Sequence, residues 1–245
     1  MSNRNPPEAP EGRVPEMTLA RRLTDYTDPD SFGSRLRRRR MGPLVSLVRE
    51  AFRRNGSVSI LDLGGTSAYW RAFPRETLEE CQVSVTLLNL PDSEFQPVEL
   101  PPRFQAKEGD ACGLVHYGDR SVDIVHSNSV IEHVGDWGRM EAFASEVRRV
   151  GRAYFVQTPN FWFPVEPHFM APLYHWLPQP VRVWLLLRMR LGHQARQETV
   201  QEAMRLVQGI NLIDRRMFRA LFPDAELQTE RYFGLPKSLI AIRSA

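Results

Sequence analysis

The stretch ILDLGGTSA, residues 60–68, decides the fold. It closes a short apolar run, SVSILDLGG (57–65), that ends abruptly in an acid and two glycines. A near-continuous apolar run of this length reads as a strand buried on both faces, as in a parallel sheet. Glycines directly after it let the backbone approach a ligand at the carboxyl edge, where parallel sheets bind nucleotides. Four further runs repeat the pattern downstream: QVSVTLLNL (82–90), the more polar RFQAKEGDA (103–111), SVDIVHSNS (121–129) and AYFVQTP (153–159). Between the last two, Met140, Phe143, Val147 and Val150 keep helical spacing, and Gly151 ends that helix. Strands alternating with helical or turn-rich connections predict an α/β fold with a parallel sheet.

Upstream, Leu44, Leu47, Val48, Ala51 and Phe52 recur at helical spacing, with Pro43 placed for a first turn and Asn55-Gly56 for a stop. Residues 1–16 are rich in Pro and Glu with few large apolar side chains, and are expected to be a disordered tail. Residues 17–56 then form an N-terminal helical segment, and 57–245 the main domain. After Pro159 the run NFWFPVEPHFMAPLYHWLPQP (160–180) is dense in aromatics and proline. It opens an inserted helical lid, 160–222, with helices expected at 181–190, 197–208 and, after Asp214, 214–221. Two strand-like runs, 225–233 and 237–243, close the chain across Gly234-Leu235-Pro236.

The composition agrees with a globular chain: 245 residues, 42% hydrophobic and 25% charged, which excludes collagen-like, coiled-coil and wholly disordered classes. No apolar run approaches the roughly 20 residues that span a bilayer. The N-terminus lacks a secretory h-region, so a cytoplasmic location is expected. Cys81 and Cys112 sit in no disulfide or zinc spacing. With 32 bases against 29 acids the net charge is only +3, and nucleic acid is disfavoured as a partner. Arg35 and Arg37 to Arg40 are the one dense basic run, read first as a solvated face and second as a phosphate contact.

Taken together, four motifs in order resemble the class I S-adenosylmethionine-dependent methyltransferases, particularly their small-molecule branch known as type 11. They are Asp62-Leu63-Gly64-Gly65-Thr66 after strand one, Asn89-Leu90 after strand two, Gly109-Asp110-Ala111 after strand three and His126-Ser127-Asn128-Ser129-Val130-Ile131-Glu132-His133-Val134 after strand four. The resemblance implies a Rossmann-like, seven-stranded, mostly parallel sheet flanked by helices, with an antiparallel last strand and the lid after strand five. It implies S-adenosylmethionine as cofactor, held by Asp62, Gly64, Gly65, Thr66, Asn89, Leu90, Asp110 and Ala111, with Ser127 and Asn128 at its methionine end. Thr66 and Ala68 stand where the family has glycines, and Asn89 stands where it has the acid that holds the ribose, with Asp92 a second acid nearby. The glycine spacing fails the dinucleotide fingerprint, which disfavours NAD.

The implied reaction is methyl transfer to an oxygen or nitrogen of a small, lipid-like or glycan-linked acceptor. A protonated acceptor needs a base, and His168 with Glu166, bracketed by Pro164 and Pro167, is the candidate pair. His133 and His175, with Glu132, are the other base candidates, though Glu132 and His133 read first as a structural element or cofactor wall at the start of the helix after strand four. Glu166, His168 and His175 match no metal-ligand spacing, so no metal is expected. Trp162, Trp176 and Trp184 either line an acceptor pocket or pack the lid. The stripe at 181–190 reads as an internal helix, with contact to an anionic membrane surface as the alternative. Two other functions stand beside the main one: RNA or protein methylation steered by the arginine run, and an inactive methyltransferase-like binding subunit.

Overall fold

The computed structural model describes residues 32–91 and 100–245, with side chains from Met41 onward. The expected tail, most of the 17–56 segment's first half and Asp92 lie outside the described residues, as do the side chains of the arginine run. The first described element, α1 (Phe32–Asn55), corrects the sequence reading, because Pro43 lies inside it rather than at its start. A proline there forfeits one intrahelical bond and costs about 3 kcal/mol. Buried Met41 before it and buried Leu44, Leu47, Val48 and Ala51 after it supply offsetting apolar contact.

The strands are β1 (Val58–Leu63), β2 (Val83–Asn89), β3 (Phe104–Glu108), β4 (Val122–Asn128) and β5 (Gly151–Pro159). A two-residue pair, β6 (Val165–Glu166) and β7 (Ala171–Pro172), lies in the lid, and β8 (Glu226–Tyr232) and β9 (Leu235–Arg243) end the chain. Among the described residues the main sheet has seven strands in the order β3-β2-β1-β4-β5-β9-β8. The pairs β2–β3, β1–β2, β1–β4 and β4–β5 are parallel, and β9 runs antiparallel to both β5 and β8. This is the Rossmann-like methyltransferase fold that the resemblance implied. The order reverses between β1 and β4, so their carboxyl ends form the crevice where such sheets bind ligands. The register Asp62↔His126 and Leu63↔Ser127 sets the Gly64-Gly65 turn beside Ser127 and Asn128.

Side chains alternating along the strands feed two cores. Ile60, Val85, Ile124 and Phe155 pack with α1 and with the short α2 (Ser67–Arg71); α3 (Arg75–Glu80) leads into β2. Leu61, Leu63, Val125 and Val156 pack with Phe143, Val147 and Val150 of α4 (Trp137–Val150) and Phe218 and Leu221 of α7 (Arg215–Leu221). Gly151 ends α4 as expected and also begins β5, which starts two residues earlier than the apolar run suggested. The lid helices α5 (Gln179–Arg188) and α6 (Val200–Gln208) build a third cluster from Phe169, Tyr174, Val183, Leu186, Ala203 and Val207. Thr199 and Glu202 close a capping box on α6, and Asp214 caps α7 by accepting from the Arg216 and Met217 N–H groups. Leu235 and Pro236 belong to β9, not to the turn, which is made by Phe233 and Gly234 at φ 47° and 80°. Pro236 is accommodated at the register shift between Glu230 and Arg231.

Candidate functional site

The glycine turn is built from below. Gly64 takes φ 68°, and a Cβ there would fall 2.5 Å from Val130 Cγ2. At Gly65 a Cβ would overlap Asp62 Oδ2 at 2.0 Å. Asp62 is buried and both its oxygens face protein: Oδ2 accepts from Trp70 Nε1 at 2.7 Å and Oδ1 from His126 Nδ1 at 2.6 Å. Asp62 therefore shapes the turn from beneath. Thr66 likewise caps α2.

Asn89, at the end of β2, donates from Nδ2 to the Gly65 carbonyl at 3.0 Å. That bond fixes the amide's orientation and leaves Oδ1 as its acceptor. Leu90 beside it is exposed. Asp110 accepts from the Cys112 N–H at 2.9 Å and from Arg139 Nη2 at 2.8 and 3.0 Å. Burial opposes the Asp110 charge, but the Cys112 N–H and the Arg139 guanidinium outweigh it and hold the carboxyl below its usual range. Arg139 is a site residue the sequence reading missed. Its signal was a cation in the first turn of α4, a position the helix dipole disfavours unless an anion is at hand. Ala111 is half-buried against the α4-side core. Ser127 is buried and donates to the Leu63 carbonyl, while Asn128 Oδ1 is buried and meets no hydrogen-bond partner among the described residues.

Around the corner of the same edge, four chemically active side chains converge. The residues after β4 form a single 3-10 turn, Ile131–His133, rather than the start of a helix. Glu132 is fully buried, with Oε2 accepting from Thr158 Oγ1 at 3.0 Å and Oε1 without a partner among the described residues. Burial pushes its carboxyl up to about 7. His133 bonds the Gly209 carbonyl through Nδ1 at 3.0 Å, and its Nε2 stands 2.9 Å from His168 Nε2. Glu166, buried in β6, accepts from the His168 and Phe169 N–H groups at 3.0 and 2.8 Å and also bonds His168 Nδ1. For His168, burial opposes the charged ring, yet the bond and charge of Glu166 and the charge of Glu132 outweigh it and raise the imidazole above its ordinary range. For His133, burial and the neighbouring His168 lower it. The Glu166–His168 pairing expected from the sequence is thus present. The meeting of His133 with His168 was not legible, because the turn after β4 and the lid bring together residues that lie far apart in the chain. His175 lines the same lid cavity as Glu166 and bonds the Phe161 carbonyl at 2.8 Å.

Glu166 also borders a cavity of about 410 Å³ under the lid, whose wall includes Trp137, Phe161, Phe169, Tyr174 and Arg182. Arg182 Nε is buried there without a partner among the described residues, and burial lowers the guanidinium. Trp162, Trp176 and Trp184 are not in that wall. They are 57%, 40% and 50% exposed, and Trp184 lies against Arg188 at 4.6 Å on the outer face of α5. No described helix is long and apolar enough to cross a membrane.

No family model matches the chain, and no curated protein matches it. Solved structures do. An O-methyltransferase family protein from Burkholderia thailandensis is 17% identical, with TM-score 0.44, over 84% of this chain and 57% of its own. Human N-acetylserotonin methyltransferase with S-adenosylmethionine is 13% identical, with TM-score 0.44, over 82% and 52%. The mitomycin 7-O-methyltransferase MmcR is 14% identical, with TM-score 0.43, over 82% and 54%. The chain thus spans little more than half of each. Likeness at this level is silent on activity, and the fold assignment rests on the order and direction of the strands.

Proposed function

We propose that the protein transfers the methyl group of S-adenosylmethionine to an oxygen or nitrogen of a small acceptor held under the lid. The observation that carries this reading is the convergence, on the carboxyl edge of one sheet, of a glycine turn, an orphaned acceptor and a carboxylate–imidazole pair. The residues present suit the cofactor. Asn128 Oδ1 is a buried acceptor lacking a donor, as an ammonium group would supply. Asn89 Oδ1 can accept from ribose hydroxyls, exposed Leu90 gives the adenosine an apolar wall, and the Asp110 carboxylate, 42% exposed, can accept from an adenine amino group.

When bound, the sulfonium supplies an activated methyl group, and transfer is an in-line displacement. The chain's own share is mainly alignment, which in well-oriented systems contributes up to about 7 to 11 kcal/mol. His168 is placed to take the acceptor's proton through Nε2 while Glu166 holds Nδ1 and, with it, the ring's orientation. The cavity suits an apolar, ring- or chain-bearing acceptor of the lipid-like kind, with an anionic group set against Arg182.

Calorimetric titration of the whole chain with S-adenosylmethionine and S-adenosylhomocysteine tests this, with NAD as control. Micromolar binding that weakens at least tenfold in Asp110→Ala and Asn128→Ala is expected. Absence of binding to both adenosyl ligands sinks the reading and favours a non-catalytic binding subunit.

A further inference from the structure

Two imidazoles meet tip to tip beside a buried carboxylate, and their proton positions are constrained by what lies behind them. The His133 Nδ1 faces the Gly209 carbonyl, which can only accept, so Nδ1 carries the proton. The His168 Nδ1 faces the Glu166 carboxylate, which already accepts the His168 and Phe169 N–H groups, so it too carries its proton. Each neutral ring then presents a lone pair at Nε2, and the two lone pairs face each other at 2.9 Å. Something positive must lie between or beside them. A single proton would reconcile the two rings but leave Glu132 Oε1 buried and without a partner. A cation answers all three.

We propose that His133 Nε2, His168 Nε2 and the Glu132 carboxylate form a site for one divalent transition cation. The three ligand atoms lie within 4.8 Å of one another. The backing of each imidazole, a carbonyl behind one and a carboxylate behind the other, is the outer-shell arrangement that fixes the tautomer of metal-bound histidine. Bonds of about 2.1 Å meeting at a right angle separate two ligands by about 3.0 Å, whereas a tetrahedral angle opens that to about 3.4 Å. The observed 2.9 Å lies nearer the right-angle separation. Two imidazoles and one carboxylate on a six-coordinate ion suit Mn²⁺, Co²⁺ or Fe²⁺. His133 keeps part of its surface open to solvent although its ring is largely desolvated, so the remaining coordination positions open outward on that side. The site revises the expectation of no metal, and a cation on His168 Nε2 occupies the lone pair that proton abstraction would use, so with the ion bound His168 is a ligand rather than the base.

The test uses the untagged full chain, stripped with a chelator and titrated calorimetrically with Mn²⁺ and Co²⁺ in the absence of any adenosyl ligand. One equivalent is expected to bind, with His133→Ala and His168→Ala each weakening it at least tenfold. Glu166→Gln, which removes only the carboxylate behind His168, is expected to weaken it roughly 10- to 100-fold, and His116→Ala, at an exposed position in the connection after β3, is expected to leave it unchanged. Should the variants misfold, the same question is asked of the wild-type protein by NMR. Mn²⁺ is then expected to broaden the ring signals of His133 and His168 before that of His116. No saturable binding, binding indifferent to both histidine variants, or broadening spread evenly over all histidines overturns the site. A proton shared between the rings, seen in the metal-free spectrum and unaltered by Mn²⁺, also overturns it and leaves His168 as the base. Failure of the adenosyl titration is a separate result and touches only the methyl-transfer reading.

Discussion

Asn89 shows how one residue's identity follows from its neighbour's. The resemblance places an acid there, but the extra glycine of this turn points the Gly65 carbonyl at the side chain, 3.0 Å from Nδ2. A carboxylate would set oxygen against oxygen in a buried position. Asn89→Asp is therefore expected to lower stability by about 1–3 kcal/mol, read from urea unfolding midpoints at pH 7. An unchanged midpoint would show the bond to be idle. Asp62 carries a larger stake, since both of its oxygens hold buried donors, Trp70 Nε1 and His126 Nδ1. Asp62→Ala strands both donors and is expected to cost about 3–5 kcal/mol, measured the same way against Trp70→Phe, which strands only one oxygen. Equal losses in the two variants would remove His126 from the account. At this scale the sequence showed which residues cluster at the edge of the sheet but not how they spend their bonds. The acid-glycine turn is legible as a run, whereas Asp62–His126 exists only once β1 and β4 lie in register. His133 facing His168 is of the same kind.

At the scale of elements, periodicity served where one face of a helix is buried, as in α4, and failed where a rule of local sequence was overridden. Pro43 reads as a start because it lacks an N–H, yet the helix passes through it. The connection after β3 has little apolar pattern of its own and is held instead by two side chains of α4. Glu146 accepts from the Leu114 N–H at 2.6 Å and from Arg149 Nε and Nη2 at 2.9 and 2.8 Å. Arg149 in turn donates to the Tyr117 and Leu114 carbonyls and to Asp119. This knot ties the segment carrying Asp110 to the helix carrying Arg139, so α4 sets both partners of that ion pair. The Arg149 bond is the main reason the Glu146 carboxyl lies below its usual range. A depressed folded-state pKa gives stability that is present above the unfolded value of about 4.3 and lost as pH falls through the folded one. Glu146→Gln is accordingly expected to be less stable than wild type by about 1–3 kcal/mol at pH 7, with the gap closing below about pH 4. Urea midpoints of both proteins from pH 7 to pH 3 check this, and a gap that persists into acid would place the effect in packing instead.

At the scale of the whole molecule, the α/β class was legible because four apolar runs and a more polar fifth alternate with helical or turn-rich connections. The order of the strands and the reversal of β9 came from the resemblance alone, since periodicity carries no pairing information. The lid is legible as an insertion by composition, but its tryptophans left two readings open, pocket lining and lid packing, and the structure keeps Trp162, Trp176 and Trp184 out of the cavity wall and half-exposed. What holds the lid is its own small cluster around Phe169, Tyr174, Leu186 and Val207, distinct from the two cores that clamp the sheet. A region with its own modest core can open without the sheet, because local stability follows local contact. Hydrogen exchange followed by mass spectrometry is therefore expected to show residues 179–208 exchanging at least tenfold faster than β1, β4 and β5. Leu186 is fully buried in that cluster, and Leu186→Ala leaves a cavity that costs about 2–5 kcal/mol at well-packed sites. Because the loss falls on the lid, its peptides are expected to exchange faster still while those of β4 and β5 keep their wild-type rates. If the variant instead speeds lid and strands alike, the lid and sheet unfold as one unit, and access to the Glu166–His168 edge cannot be governed by the lid opening on its own.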